Sequence, residues 1–162
     1  MINRALLSLI IFILIGCESN EVYSEYKTLS DNWPLEESLE FSLPVLDSTQ
    51  TYNLFFNVRN SNDFKYSNLF LIAGIEFPNG KVIIDTLEYQ MAQADGSWLG
   101  TGYSVKENKL WYKENIRFFE AGSYKVSVRH AMRNNAAVTG VSKLEGITDV
   151  GIIIERRLTE KE

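Results

Sequence analysis

The sequence predicts an all-β fold: a single antiparallel β-sandwich, jelly-roll-like, set behind a short N-terminal leader. Three observations predict it. Tyr124, Val126, Val128 and His130 alternate strictly with Lys125, Ser127 and Arg129, a period of two that gives a strand one buried and one solvated face. Turn signals recur at Pro78-Asn79-Gly80, Asp95-Gly96-Ser97 and Ala121-Gly122-Ser123, at the short spacing of a sandwich or barrel. No stretch reads as a long helix, and no internal repeat or second domain breaks the pattern.

The leader comes first. Arg4 is its positive charge, and Ala5 to Ile15 is apolar apart from Ser8. As a helix this run is about 16 Å long at roughly 1.5 Å per residue, about half the thickness of a bilayer core. It therefore reads as the apolar part of a signal peptide rather than a span. It ends in Leu14-Ile15-Gly16-Cys17, which matches a bacterial lipoprotein signal, and Cys17 is the only cysteine. The small Gly16 suits cleavage of the Gly16–Cys17 bond, and the Cys17 thiol would take a diacylglycerol. The expected boundaries are a signal peptide over 1–16, a lipidated N-terminus and tether over 17–38, and the sandwich over 39–158.

Within the tether, Glu18-Ser19-Asn20-Glu21 is polar and non-periodic. Trp33-Pro34 is extended, because proline excludes the helical region for its predecessor. In the sandwich, Leu54, Phe56 and Val58 alternate with Asn53, Phe55 and Asn57. Ser67 to Phe77 is nearly all apolar, as in a central strand covered on both faces. Asn79-Gly80 suits the positive φ angles of a hairpin, with Val82 to Met91 as the returning strand. Leu110, Tyr112, Ile116 and Phe118 mark the next strand, Tyr124 to His130 another, and Asp149 to Glu155 the last.

The charge balance excludes some partners. The chain has 16 Lys+Arg against 21 Asp+Glu, a net charge of −5; without residues 1–16, which hold one arginine and no acid, it is −6. An acidic domain is a poor match to nucleic acid or to an anionic membrane surface. Anchoring then falls to lipid, at about 0.8 kcal/mol per buried CH₂. With Cys17 acylated no disulfide can form, so stability rests on packing.

Little in the chain suggests catalysis. His130 is the single histidine and lies on the apolar face of its strand, where a partly buried, hydrogen-bonded role is expected. With no second histidine and no free thiol, an N/S zinc site is not expected, nor is any other metal or cofactor. Asn60-Ser61-Asn62-Asp63 reads as a polar turn rather than a calcium loop, since a terminal bidentate acid is missing. Asp85 and Glu88 are three apart, which puts them on opposite faces of a strand and argues against a paired-carboxylate glycosidase. The aromatics Trp98, Tyr103, Trp111 and Tyr112 are more informative. Alternation buries one of the adjacent pair Trp111 and Tyr112 and leaves the other at least half exposed. Trp98, Trp111 and Tyr112 are the candidate partner contact, because exposed rings anchor protein interfaces. A glycan-binding module is the alternative use of such rings, and a hydrolase a distant third.

Several runs resemble one known family. They are Tyr52-Asn53-Leu54-Phe55, Arg59-Asn60, Ser67-Asn68-Leu69-Phe70-Leu71, Phe77-Pro78-Asn79-Gly80, Asp85-Thr86-Leu87-Glu88 and Gly96-Ser97-Trp98-Leu99-Gly100. Later runs are Lys109-Leu110-Trp111-Tyr112-Lys113, His130-Ala131-Met132-Arg133 and Leu144-Glu145-Gly146-Ile147-Thr148-Asp149-Val150-Gly151. With the Cys17 signal, they make the chain similar to the GldH gliding-motility lipoproteins. That resemblance implies a non-enzymatic, assembly role in gliding and type IX protein export. It also implies a lipid-anchored place in the cell envelope, at the outer membrane, and partners among the machinery's other lipoproteins, such as GldK and GldJ.

Overall fold

The structure, a computed structural model, describes residues 20–30, 32–134 and 137–158. The leader, with Gly16 and Cys17, lies outside the described residues. These hold ten strands and no helix: β1 Glu21–Thr28, β2 Asn32–Pro34, β3 Leu39–Ser42, β4 Tyr52–Asn60, β5 Asn68–Glu76, β6 Val82–Gln90, β7 Lys106–Ile116, β8 Lys125–His130, β9 Lys143–Glu145 and β10 Ile147–Arg156. One sheet has the order β1-β10-β4-β7 and the other β3-β8-β5-β6, while β2 and β9 form a two-stranded ribbon. Every pairing is antiparallel.

The two sheets enclose one core. Leu54, Phe56 and Val58 from β4 and Val150, Ile152 and Ile154 from β10 join Leu69, Leu71 and Ala73 from β5 and Val126 and Val128 from β8, all fully buried. Alternation on β4, β8 and β10 is what supplies these inward rows. The Trp33 ring from β2 caps one end of the core, its Nε1–H donating to the Glu37 carbonyl at 3.0 Å.

Four features differ from the expectation. The sandwich starts before Leu39: β1, placed in the tether above, pairs with β10 from Glu21 to Thr28. Its composition hid it because an edge strand over a sheet margin needs few apolar residues, and Tyr23 and Tyr26 suffice. Strand β5 is central but not covered on both faces, since Phe70 and Ile72 remain half-buried on its outer side. The strand covered on both faces is β4, where Phe55 and Asn57 are buried as well as their inward neighbours. In the β5–β6 turn Pro78-Asn79-Gly80, positive φ is confined to Gly80, at 83°, and does not extend to Asn79; the Gly80 N–H donates to the Phe77 carbonyl at 2.8 Å. A type I turn closed by a left-handed glycine has this form.

Candidate partner-contact site

Outside the first sheet, registers align three rows across the strands. They run Ser24–Ile153–Phe55–Trp111, Tyr26–Gly151–Asn57–Lys109 and Thr28–Asp149–Arg59–Glu107. The first row is apolar toward β7 and places Trp111 directly beside Phe55, with ring centroids 4.3 Å apart and planes tilted by 50°. The Lys109 Nζ lies over Phe55, 4.3 Å from the ring centroid, and pairs with Glu155. Trp111 is 54% exposed while Phe55 beneath it is 4% exposed. A large ring packed on a buried ring is pre-ordered for contact, with less rotamer freedom left to lose.

The rows behind it form a polar lattice. The Asn57 amide donates to the Tyr26 hydroxyl at 3.0 Å and to Glu107 Oε1 at 2.7 Å. Arg59 pairs with Glu107 at 3.1 Å and stacks on Tyr26, 4.6 Å from its centroid. Burial, then the Glu107 carboxylate, push the Tyr26 phenol above its ordinary value, so the hydroxyl keeps its proton.

Tyr112 points the other way. It is 7% exposed and packs on Phe56 with centroids 4.7 Å apart. Its hydroxyl reaches Asp85 on β6 at 3.5 Å, where Asp85 also pairs with Lys113 at 2.9 Å. From β6 the Tyr89 hydroxyl donates to the Trp111 carbonyl at 2.6 Å. Burial, reinforced by Asp85, holds the Tyr89 and Tyr112 phenols well above the ordinary range. Trp98 is half-buried, against Phe64 at 6.0 Å. Tyr103 is 95% exposed on the loop before β7. The three candidate rings thus do not share one patch. Trp111 is the outward one, Tyr112 joins the core, and Trp98 packs at its margin. Phe55, which packs on Trp111, and Lys109, which lies over Phe55, were missed in the sequence because cross-strand neighbours depend on register.

His130 is fully buried. Its Nε2–H donates to the Trp33 carbonyl at 3.0 Å, and its Nδ1 accepts from the Met132 N–H at 3.4 Å. Burial pushes its pKa below the ordinary value. Both ring nitrogens are committed to backbone, so the ring joins the two-stranded ribbon to β8 and has no position left for a substrate. Asp85 and Glu88 lie on opposite faces of β6, the one half-buried and the other exposed.

Comparison with known proteins agrees with the fold's extent. A family model described as GldH lipoprotein matches residues 21–154, from β1 into β10. A gliding motility lipoprotein GldH homolog of Christiangramia forsetii is 52% identical over 159 residues, covering 94% of this chain and 98% of that protein. The gliding motility lipoprotein GldH of Flavobacterium johnsoniae is 46% identical over 156 residues, covering 96% and 97%. At that identity, over nearly the whole length of both relatives, the chain belongs to the GldH lipoprotein family.

Proposed function

We propose that this protein is a lipid-anchored assembly component of the gliding and type IX export machinery, and that it works by holding partner proteins rather than by turnover. The observation that carries this reading is its near full-length kinship with two gliding motility lipoproteins. Residues 1–16 act as the signal peptide, cleavage falls between Gly16 and Cys17, and Cys17 carries the lipid that holds the sandwich at the outer membrane. The partners are other lipoproteins of the machinery, with GldK and GldJ as the first to test. Trp111 on its Phe55 floor is the contact. Its geometry supports a protein anchor over a glycan platform, because its nearest ring lies buried beneath it instead of extending a flat exposed row.

Two substitutions test the reading. Cys17→Ala is expected to block lipidation and leave an unprocessed or mislocalised precursor. Trp111→Ala is expected to weaken co-purification with GldK and GldJ by at least about tenfold, the loss of one hot-spot ring, and to reduce spreading or export while the thermal midpoint holds. Unchanged co-purification and spreading in a stably folded Trp111→Ala protein would remove Trp111 from the contact. Normal processing of Cys17→Ala would remove the lipid anchor.

A further inference from the structure

Four strands end the two main sheets, and three of them are short or interrupted. Strand β3 has four residues. The β1 register shifts between Glu21 and Tyr23. The β7 register shifts twice, and Thr101 pairs with the outward backbone of Glu107 in both directions, at 3.0 and 2.7 Å. Strand β6 differs: nine residues, no register shift, no proline and no glycine.

Register shows which of its backbone groups are free. At one end of the β5–β6 hairpin the Phe77 N–H donates to the Lys81 carbonyl, and at the other the Met91 N–H donates to the Ser67 carbonyl, both at 2.8 Å. Bonded pairs alternate along an antiparallel ladder. Ile83, Asp85, Leu87 and Tyr89 therefore turn their N–H and C=O groups toward β5, while Val82, Ile84, Thr86 and Glu88 turn theirs outward. Among the described residues these outward groups have no hydrogen-bond partner. The side chains of the same four residues stand on the outer face, with Val82 53% and Ile84 69% exposed. Gly74 lies opposite Ile84 and keeps the strip beside it flat.

We propose that the free edge of β6, from Val82 to Glu88, is a strand-addition site for an extended segment of a partner protein. That segment places apolar side chains opposite Val82 and Ile84 and a basic one opposite Glu88. The site rests on the reading of this chain as a binding protein, but it uses a surface separate from Trp111. Donors and acceptors at strand spacing are matched by another strand and not by a glycan or a lipid. Glu88 is the one charged side chain among the four, and it is held by the Asn68 amide at 3.1 Å, with no cation on it among the described residues. A second copy fits less well. Two-fold pairings centred on Thr86, Asp85 and Ile84 set Glu88 against Ile84, against Val82 and into the Gly80 turn respectively, and none gives it a cation. The net charge of −5 also opposes self-association.

The test is hydrogen–deuterium exchange on the full chain in detergent, with the synthetic peptide acetyl-Lys-Thr-Val-Thr-Val-Thr-Val-amide as probe. Laid antiparallel, it sets its lysine opposite Glu88 and its valines opposite Thr86, Ile84 and Val82. The amides of Val82, Ile84, Thr86 and Glu88 are expected to slow by at least about tenfold, as newly bonded strand amides do. The same peptide with glutamate for lysine is expected to protect less, and Glu88→Lys to reverse that preference. Thr86→Pro removes one outward N–H and leaves the ladder to β5 intact, so it is expected to abolish protection. Thr86→Ala, which keeps the N–H, is expected to retain it, as is Trp111→Ala. No protection by the lysine peptide, or equal protection in a folded Thr86→Pro protein, overturns the proposal. Protection that rises with protein concentration in the absence of peptide transfers the edge to a second copy and overturns the partner assignment. Failure here with the Trp111 contact intact removes the edge alone; a silent Trp111→Ala with peptide protection intact removes the Trp111 contact alone.

Discussion

Strands β7 and β6 edge the same side of the sandwich, tied by Tyr89 to the Trp111 carbonyl and by Lys113 to Asp85, yet they end in opposite ways. The β7 edge is bulged, charged at Lys106, Glu107, Lys109, Lys113 and Glu114, and bridged by Thr101. The β6 edge is straight, and its outward side chains are apolar at Val82 and Ile84. The same contrast extends over the outer faces. Outside the first sheet, the Tyr26–Asn57–Glu107–Arg59 lattice is tied together by hydrogen bonds and an ion pair. Outside the second, no such lattice lies over Phe70, Ile72, Val82 and Ile84 among the described residues. Bulges, charges and bridging loops are how a sheet avoids pairing with other chains. Of these two neighbouring edges, β7 is closed and β6 is the one left open to a strand.

The contrast belongs to the outer faces and edges, because the inner faces share one core. Leu71→Ala tests that limit and carries the largest expected effect, about 2–5 kcal/mol for a fully buried leucine. Its denaturant midpoint is expected to fall with the slope unchanged, and exchange to quicken in both sheets together. Acceleration confined to β5 and β6 would show that the sheets are energetically separate.

Two glycine substitutions then compare the outer faces directly. A Cβ on Gly151 would meet Tyr26 Cδ1 at 2.6 Å and the Glu25 carbonyl at 3.0 Å, so Gly151→Ala is expected to push Tyr26 off Asn57 at a cost of about 1–3 kcal/mol. A Cβ on Gly74 would meet only the Ser127 hydroxyl closely, at 2.9 Å, which can rotate away. Gly74→Ala is expected to stay within about 0.5 kcal/mol. Equal midpoints for the two variants would mean that the outer lattice does not rigidify the first sheet.

A smaller effect tests the buried end of β8. The His130 pKa is lower in the folded protein than its ordinary 6.5. Below 6.5 the unfolded chain takes up a proton that the folded chain refuses. The contribution to stability is therefore whole above pH 6.5 and is lost as pH falls toward and through the folded value, at no more than about 1.4 kcal/mol per pH unit. His130→Gln is expected to remove that component of the slope in chemical denaturation between pH 6.5 and 5. An identical slope in both proteins would reassign it to carboxylates. Smallest of all, Ile84→Lys on the open face is expected to change stability by no more than about 0.5 kcal/mol, because its side chain is already in water; a larger loss would show that the strip is packed in the free protein.

Much of this was legible in the residues. The period of two from Tyr124 to His130 announced β8 and its buried face, and the Pro78-Asn79-Gly80 signal announced the β5–β6 hairpin. Adjacent positions on one strand require that Trp111 and Tyr112 part to opposite faces. What failed did so for one reason. Strand β1 looked like a tether, and β5 looked more enclosed than β4, because each judgement concerned the face a neighbour covers. Hydrophobicity along one segment does not say which strand will lie beside it.

The sequence by itself determined the all-β class, the acidic charge balance and the side chains available for contact, since all of these follow from local pattern and composition. Only the tertiary structure decided that β10 lies between β1 and β4, that Trp111 packs on Phe55 and Lys109 lies over that same ring, that backbone commits both nitrogens of His130, and that the outer edge of β6 has no strand beside it among the described residues. Those facts depend on pairing between residues as far apart as Glu21 and Glu155. Such pairing is selected by the closure of one shared core, in which each strand's place is set by all the others.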